Sequence, residues 1–289
     1  MKIYIHSVFL EPTWLVGVAR RAEELGYHGF TVSDHLLYPK DLMSRYPYGE
    51  EPFPSTSPWP DIWVTVGALA GATTRLRFLS CIYLALARPP VAVAKAVGTA
   101  AILSGYRVDF GMAVGWMREE FDHMGQDFAT RGRRHDEMVD LVREIWTGDW
   151  VEHHGRYYDY EPFRVMPAPD RPIPILGGGD SEVAMRRSVL LDGWLGSRWY
   201  AADEAAEQVE RMHAYRREAG TDGADFQIFI SLDHSPTLEE CRRFEDLGVT
   251  ALWTHPWTPV GEPTKAPEPT LEQVMQGMED YADRVVSRL

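Results

Sequence analysis

The stretch LRFLSCIYLALARPPVAVAKAVGTAAILSGYRVDFGMAV, residues 76–114, decides the fold. It opens on an apolar run, Leu76–Leu84, passes through a helical pattern over 90–104, and returns to an apolar run, Arg107–Val114. Apolar runs this short, separated by a helix, read as parallel strands that helices cover. The alternation extends both ways. Strand candidates precede the stretch at Lys2–Ser7 and Gly29–Ser33, and others follow at Ile173–Leu176, Gly193–Ser197, Phe226–Leu232 and Thr250–Thr254. Between them, PTWLVGVARRAEELG (12–26) has apolar residues at 14, 15, 18, 22 and 25, a helical stripe closed by Gly26. Further helical patterns cover 61–74, 132–147, 180–191, 202–219, 237–247 and 270–288. Eight strand–helix units predict a (β/α)8 TIM barrel spanning 1–289 as one domain, a fold that normally takes ~250 residues. A doubly wound α/β sheet is the alternative. It wants a Gly-rich fingerprint after the first strand, and HSVFLEPTW (6–14) has none.

Three connections are longer than a barrel needs. Residues 36–60, after strand two, are rich in Pro, Tyr and acid; residues 147–172 precede strand five; residues 255–270 follow strand eight. Loops above ~12–15 residues are usually functional or disordered. The first leaves the C-terminal end of a strand, the catalytic face of a barrel, and reads as a lid. The second returns toward the opposite face, and its aromatic density indicates packing. The third edges the site.

Composition narrows the function classes. The chain has 289 residues, 45% apolar and 25% charged, typical of a globular protein. Its formal charge, 29 − 43 = −14, argues against nucleic acid or an anionic membrane surface as a partner. No apolar run is long enough to span a bilayer and MKIYIHSVFLEPTW lacks a secretory cleavage pattern, so a cytoplasmic protein is expected. The two cysteines, Cys81 and Cys241, make neither a disulfide framework nor a cysteine–zinc site, and the histidines lack HxxxH or HExxH spacing, so no metal is expected.

In a barrel, polar residues at strand C-termini converge on one mouth. They are His6 and Ser7; Ser33, Asp34 and His35; Ser80, Cys81 and Ile82; Gly115 and Trp116; Gly177 to Ser181; Ser197 and Arg198; Asp233 and His234; and Thr254 and His255. In LGGGDSEVAMRR (176–187) a strand ends, three glycines let backbone amides approach a ligand, and Asp180 or Ser181 caps a helix. That suits a phosphate cradle, and equally a tight strand-to-helix turn. Trp116 and Met117 place large apolar groups where a flat ring could lie.

SDHLLYP (33–39), LSCIYLALARPPVAVAKAVGTAAILSGYRVDFGMAVGWMREEF (79–121), RGRRHDEMVDLVREIWTG (131–148) and IPILGGGDSEVAMRRSVLLDGW (173–194) together resemble the bacterial luciferase-like superfamily, and most of all its coenzyme F420-dependent oxidoreductase branch. The resemblance implies a homodimer that holds a deazaflavin or flavin at the barrel mouth and acts on a small-molecule substrate. It implies a non-proline cis peptide propping the middle ring, at Cys81–Ile82 or one bond earlier at Ser80–Cys81. It implies a phosphate site at Gly177, Gly178 and Gly179 beside Asp180 and Ser181. Asp34 matches the aspartate that hydrogen-bonds the deazaflavin, and His35 the neighbouring active-site histidine, which could pass a proton as hydride moves.

The sequence departs from the F420-dependent sugar-phosphate dehydrogenases, which open the loop after strand four with a glutamate and carry a tryptophan a few residues beyond the histidine. Trp116 and about Pro39 stand there instead. This argues against oxidation of glucose 6-phosphate and suits reduction of an unsaturated or carbonyl substrate. An FMN-dependent monooxygenase using O2 is the second reading, and a non-catalytic flavin-binding protein the third. An acidic chain that takes a cofactor with an acidic tail needs a local basic rim, for which Arg88, Arg186, Arg187 and Arg198 are the candidates. Tyr38, Tyr46, Tyr48, Trp59 and Trp257 suggest a partly aromatic pocket wall.

Overall fold

The computed structural model describes residues 1–49, 53–258 and 269–289. Among them ten strands form: β1 Lys2–His6, β2 Gly29–Val32, β3 Arg77–Ser80, β4 Val108–Met112, β5 Val151–His154, β6 Asp159–Phe163, β7 Ile175–Gly178, β8 Gly193–Tyr200, β9 Gln227–Leu232 and β10 Ala251–Thr254. Eight of these close a barrel in the order β1-β10-β9-β8-β7-β4-β3-β2, every pair parallel. The (β/α)8 expectation holds. The helices are α1 Leu15–Glu24, α2 Ile62–Ala72, α3 Pro90–Leu103, α4 Arg118–His123, α5 Arg131–Trp146, α6 Glu182–Ser188, α7 Ala202–Ala219, α8 Leu238–Asp246 and α9 Leu271–Arg284.

Period-2 alternation along each strand divides the apolar residues into two layers. Tyr4, Leu79, Leu176, Leu195, Phe229, Ala251 and Trp253 fill the barrel interior. Their neighbours, such as Ile5, Phe30, Phe78, Phe110 and Ile230, face outward and pack under the helices. The Tyr4 ring lies where a Cβ on Gly29 would be, so that position takes only glycine.

The segment 147–172, expected to pack rather than stay disordered, contains the antiparallel hairpin β5–β6. Its turn is held by Glu137 of α5, whose carboxylate accepts from the backbone N–H groups of Arg156, Tyr157 and Tyr158 at 2.8–3.2 Å. The third strand is shorter than the apolar run suggested. It stops at Ser80, the Cys81–Ile82 peptide is cis, and Ala85–Ala87 form a buried 3-10 turn. Of the insertion at 255–270, residues 259–268 lie outside the described residues, as do 50–52 of the lid. No helix among the described residues is long and apolar enough to cross a membrane.

Candidate active site

The C-terminal ends of the barrel strands surround a cavity of about 760 Å³, within the range of small-molecule and cofactor sites. Of the residues expected to form the site, Asp34, His35, Cys81, Ile82, Gly115, Trp116, Gly178, Gly179, Asp180 and Ser181 line it. Ser80 and Gly177 do not. Ser80 Oγ donates to the Gly111 carbonyl and accepts from the Gly111 amide, clasping β3 to β4. Gly177 is packed against Ser188, whose Oγ bonds the Gly177 carbonyl. Asp233 and His234 also stand apart from the cavity, His234 held between Asp233 and Glu240.

Asp34 is largely spent on the protein itself. Its carboxylate accepts from the Leu84 amide at 2.9 Å and from two Arg88 nitrogens at 2.6 and 3.1 Å, a bidentate pair with side chains 3% and 15% exposed. Arg88 therefore does not serve a basic rim. It completes the floor by stacking over Tyr83, 4.2 Å from the ring centroid. Ser33 Oγ donates to the Cys81 carbonyl at 2.7 Å, tying the end of β2 to the turn after β3. Burial pushes the Cys81 thiol up to about 12, so it stays a neutral part of the wall rather than a nucleophile.

His35 stands among aromatic rings, 4.6 Å from Phe53, 4.8 Å from Trp59 and 6.0 Å from Trp116 between centroids. Its Nδ1 meets Glu120 Oε2 at 3.1 Å, while Glu120 Oε1 accepts the Leu36 amide at 2.6 Å. A carboxylate at Nδ1 fixes the proton there and leaves Nε2 to exchange a proton with a bound molecule. Glu120, 1% exposed, is the residue that sequence reasoning missed. The segment after β4 does bring a carboxylate to the site, from α4, four residues beyond the position where it was sought. A signal was present: Met117, Glu120, Phe121 and Met124 have i, i+3, i+4, i+7 spacing, so Glu120 falls within an apolar stripe.

The glycine turn after β7 is shaped for close approach. A Cβ on Gly178 would lie 3.0 Å from Ile82 Cγ2, and Gly179, at φ +131°, takes a conformation that side chains rarely adopt. Ser181 is the cap of α6, its Oγ accepting from the Ala184 amide. Asp180 instead turns inward, accepting from the Ser197 amide and the Tyr200 hydroxyl, with Arg198 Nε 3.3 Å from its other oxygen. Burial raises the Asp180 carboxyl against the lowering effect of these donors.

The lid covers this arrangement. Glu119 of α4 accepts from the Met43 and Ser44 amides, and Tyr48 OH takes the Asp180 amide at 3.4 Å. Tyr46, Tyr48 and Trp59 line the cavity, whereas Tyr38 sits behind Phe53 and Trp257 behind His255. Of the expected basic rim only Arg198 lines the cavity. Arg186 is paired with Glu182 and Glu218, and Arg187 with Asp136. Arg45 and Arg131 line it instead.

The luciferase-like monooxygenase family model matches residues 10–254. An uncharacterised protein of Mycobacterium tuberculosis (strain H37Rv) is 37% identical over the full length of both chains. An F420-dependent glucose-6-phosphate dehydrogenase of Amycolatopsis mediterranei is 29% identical, the match covering 84% of this chain and 73% of that one. A solved structure of an F420-dependent secondary alcohol dehydrogenase, in complex with an F420-acetone adduct, superposes with a TM-score of 0.74 over 99% of this chain and 98% of that one, at 16% identity.

Proposed function

The chain belongs to the luciferase-like monooxygenase family, and from that membership we propose that it is an oxidoreductase using coenzyme F420 to pass hydride between the deazaflavin C5 and a small organic substrate. The observation that carries this reading is the convergence of His35, the Cys81–Ile82 turn and the Gly178–Gly179 turn on one cavity. The residues present fit a flat ring bearing a phosphate. Cys81, Ile82, Gly115 and Trp116 would flank the ring, and the open Gly178–Gly179 turn with the Ser181 amide would take the phosphate, the Gly179 amide being held by the Leu195 carbonyl and the Asp180 amide by Tyr48 OH. When bound, the cofactor supplies a two-electron carrier that a protein side chain cannot provide. His35, fixed by Glu120, would hold or deliver the proton that accompanies reduction of a substrate. Asp34, engaged by Arg88 and Leu84, retains acceptor capacity on Oδ1 for one donor of the cofactor. The aromatic lid would exclude water.

Titration of the purified protein with F420 and with FMN, followed by cofactor fluorescence, tests this. Micromolar binding of F420 is expected. A response to FMN with none to F420 would instead favour the flavin-dependent monooxygenase reading, which the family's description keeps open. In the same titration Arg45→Ala should weaken F420 binding several-fold at low salt. The deficit should shrink as added salt brings the Debye length to ~8 Å.

A homodimer belongs to the same proposal. α2 carries no charged residue, and Val64 and Leu103 are 75% and 72% exposed on either side of a groove between α2 and α3. Burying that face against a second copy would remove it from water. Light scattering should give twice the chain mass of 32.9 kDa, and Val64→Glu should shift the protein toward the monomer with its circular dichroism unchanged. A wild-type chain that runs as a monomer would dismiss the idea.

A further inference from the structure

β1 stands four strands from β7 in either direction round the barrel, by way of β10, β9 and β8 or of β2, β3 and β4. The C-terminal end of β1 is therefore across the mouth from the Gly178–Gly179 turn. His6 occupies that end. It lies two residues beyond Tyr4, which fills the barrel interior, so by strand alternation its side chain also points inward, and it lines the cavity. Thr31, its register partner on β2, holds Nδ1 at 2.5 Å through Oγ1. His255 stacks on the ring at 5.3 Å and 20°, while Trp253 and Trp199 stand 4.5 and 5.8 Å away. Nε2 is left over. It has no partner among the described residues and is open to solvent, whereas both nitrogens of His255 are sealed. On an inward-pointing side chain at the mouth end of its strand, the space that reaches Nε2 is the cavity.

The Thr31 hydroxyl fixes where the His6 proton sits. Thr31 is fully buried, and among the described residues its hydroxyl meets His6 Nδ1 and no other polar partner. Were Nδ1 protonated, the hydroxyl hydrogen would be buried without an acceptor, a cost that folded interiors rarely carry. The hydroxyl therefore donates to Nδ1, and the one proton of a neutral imidazole is on Nε2. Neutrality follows from burial, which with His255 alongside pushes His6 well below its ordinary value. His35 is the converse: its Nδ1 proton goes to Glu120, which leaves a bare lone pair on Nε2. The ends of the neighbouring strands β1 and β2 thus offer the cavity one imidazole that donates and one that accepts.

We propose that His6 Nε2–H is a fixed donor to the carbonyl oxygen of the substrate, which makes His6 a second catalytic residue, with His35, for the reduction of a carbonyl compound. The proposal rests on the reading of the site as an F420-dependent oxidoreductase with the cofactor phosphate at the glycine turn. Hydride reaching the carbonyl carbon from the reduced deazaflavin moves the C=O electron pair onto oxygen and leaves the cofactor oxidised. An N–H already aimed at that oxygen stabilises the charge as it develops. Protonated His35 supplies the proton that completes the alcohol. His6 keeps its own proton throughout.

The test uses para-dimethylaminocinnamaldehyde, whose absorption band moves to longer wavelength when its carbonyl oxygen accepts a hydrogen bond. Titrated into the full chain without cofactor, it should bind with its band shifted to the red. His6→Phe keeps a flat ring and removes the donor, so it should abolish the shift and weaken binding roughly tenfold. His6→Gln places an amide N–H near the position of Nε2 and should restore part of the shift. Nitrogen NMR of the histidine-labelled chain should show a neutral imidazole, missing from His6→Gln, with Nε2 protonated and Nδ1 bare. Fluorescence titration with F420 should give His6→Phe the affinity of the wild type. An unshifted band in the wild type, an equal shift in His6→Phe, or the opposite tautomer would overturn the proposal. So would a tenfold loss of F420 affinity in His6→Phe, which would assign the donor to the cofactor instead. Because the aldehyde is read without cofactor, a wild type that fails to bind F420 sinks the cofactor reading and leaves the donor standing; one that binds F420 but never shifts the aldehyde sinks the donor alone.

Discussion

Asp34→Ala should lower the unfolding free energy by about 3–5 kcal/mol, because it strands the Arg88 guanidinium in an interior built around a partner. The carboxylate receives two Arg88 nitrogens and the Leu84 amide. Its loss therefore also leaves a buried N–H unsatisfied, itself a cost of about 1–3 kcal/mol. Against a total stability of about 5–15 kcal/mol this is a large fraction. The double variant Asp34→Leu with Arg88→Met should recover most of the loss, since replacing both members of a buried pair by apolar groups is often neutral. Urea unfolding of the two variants beside the wild type provides the measurement. A deficit below about 1 kcal/mol in Asp34→Ala would show that water reaches Arg88 and that the pair is not an internal strut.

The second large effect is on turnover. His35→Ala should reduce kcat by about 10²–10⁴-fold, the usual contribution of a positioned acid or base. Glu120→Gln should cost about 10²-fold, because an amide can present its NH2 to Nδ1 and release the imidazole into the wrong tautomer. Glu120 acts by positioning His35, so the double variant should be no slower than His35→Ala alone. KM should stay near wild type in both, and Glu120→Asp should restore part of the rate. The readout is the absorbance change of reduced F420 with a substrate the protein turns over. Additive losses, or an effect of Glu120→Gln confined to KM, would remove the dyad.

How far the sequence could be read depends on what each residue's neighbours are. Barrel strands such as Val108–Met112 and Gln227–Leu232 were legible because both faces are buried, which leaves a continuous apolar run. The same logic overran β3. Leu84, Ala85 and Leu86 are at most 3% exposed in a turn, and a buried turn is spelled in the same residues as a buried strand. The hairpin β5–β6 was invisible for the opposite reason: most of its residues are half-buried or exposed, and Glu137, 19–21 residues away from its turn, supplies the grip. In the site, residues adjacent in sequence were found, and partners far apart were not. His35 and Glu120 are 85 positions apart, and Asp34 and Arg88 are 54 apart, a separation at which local patterning is silent. The glycine turn was half legible, since only the structure distinguishes Gly178, which faces the cavity, from Gly177, which makes room for Ser188.

The register of β8 has a wider consequence. Between Leu195, opposite Phe229, and Trp199, opposite Ser231, β8 carries two residues more than β9. Four consecutive residues, Gly196 to Trp199, consequently face the cavity, where a regular strand would present two. Pairing on both sides of the bulge closes the barrel without Gly196, Ser197 and Arg198. The segment is a place where evolution can rewrite the ligand-facing surface, in length as well as in side chain, while the staves of the barrel keep their register.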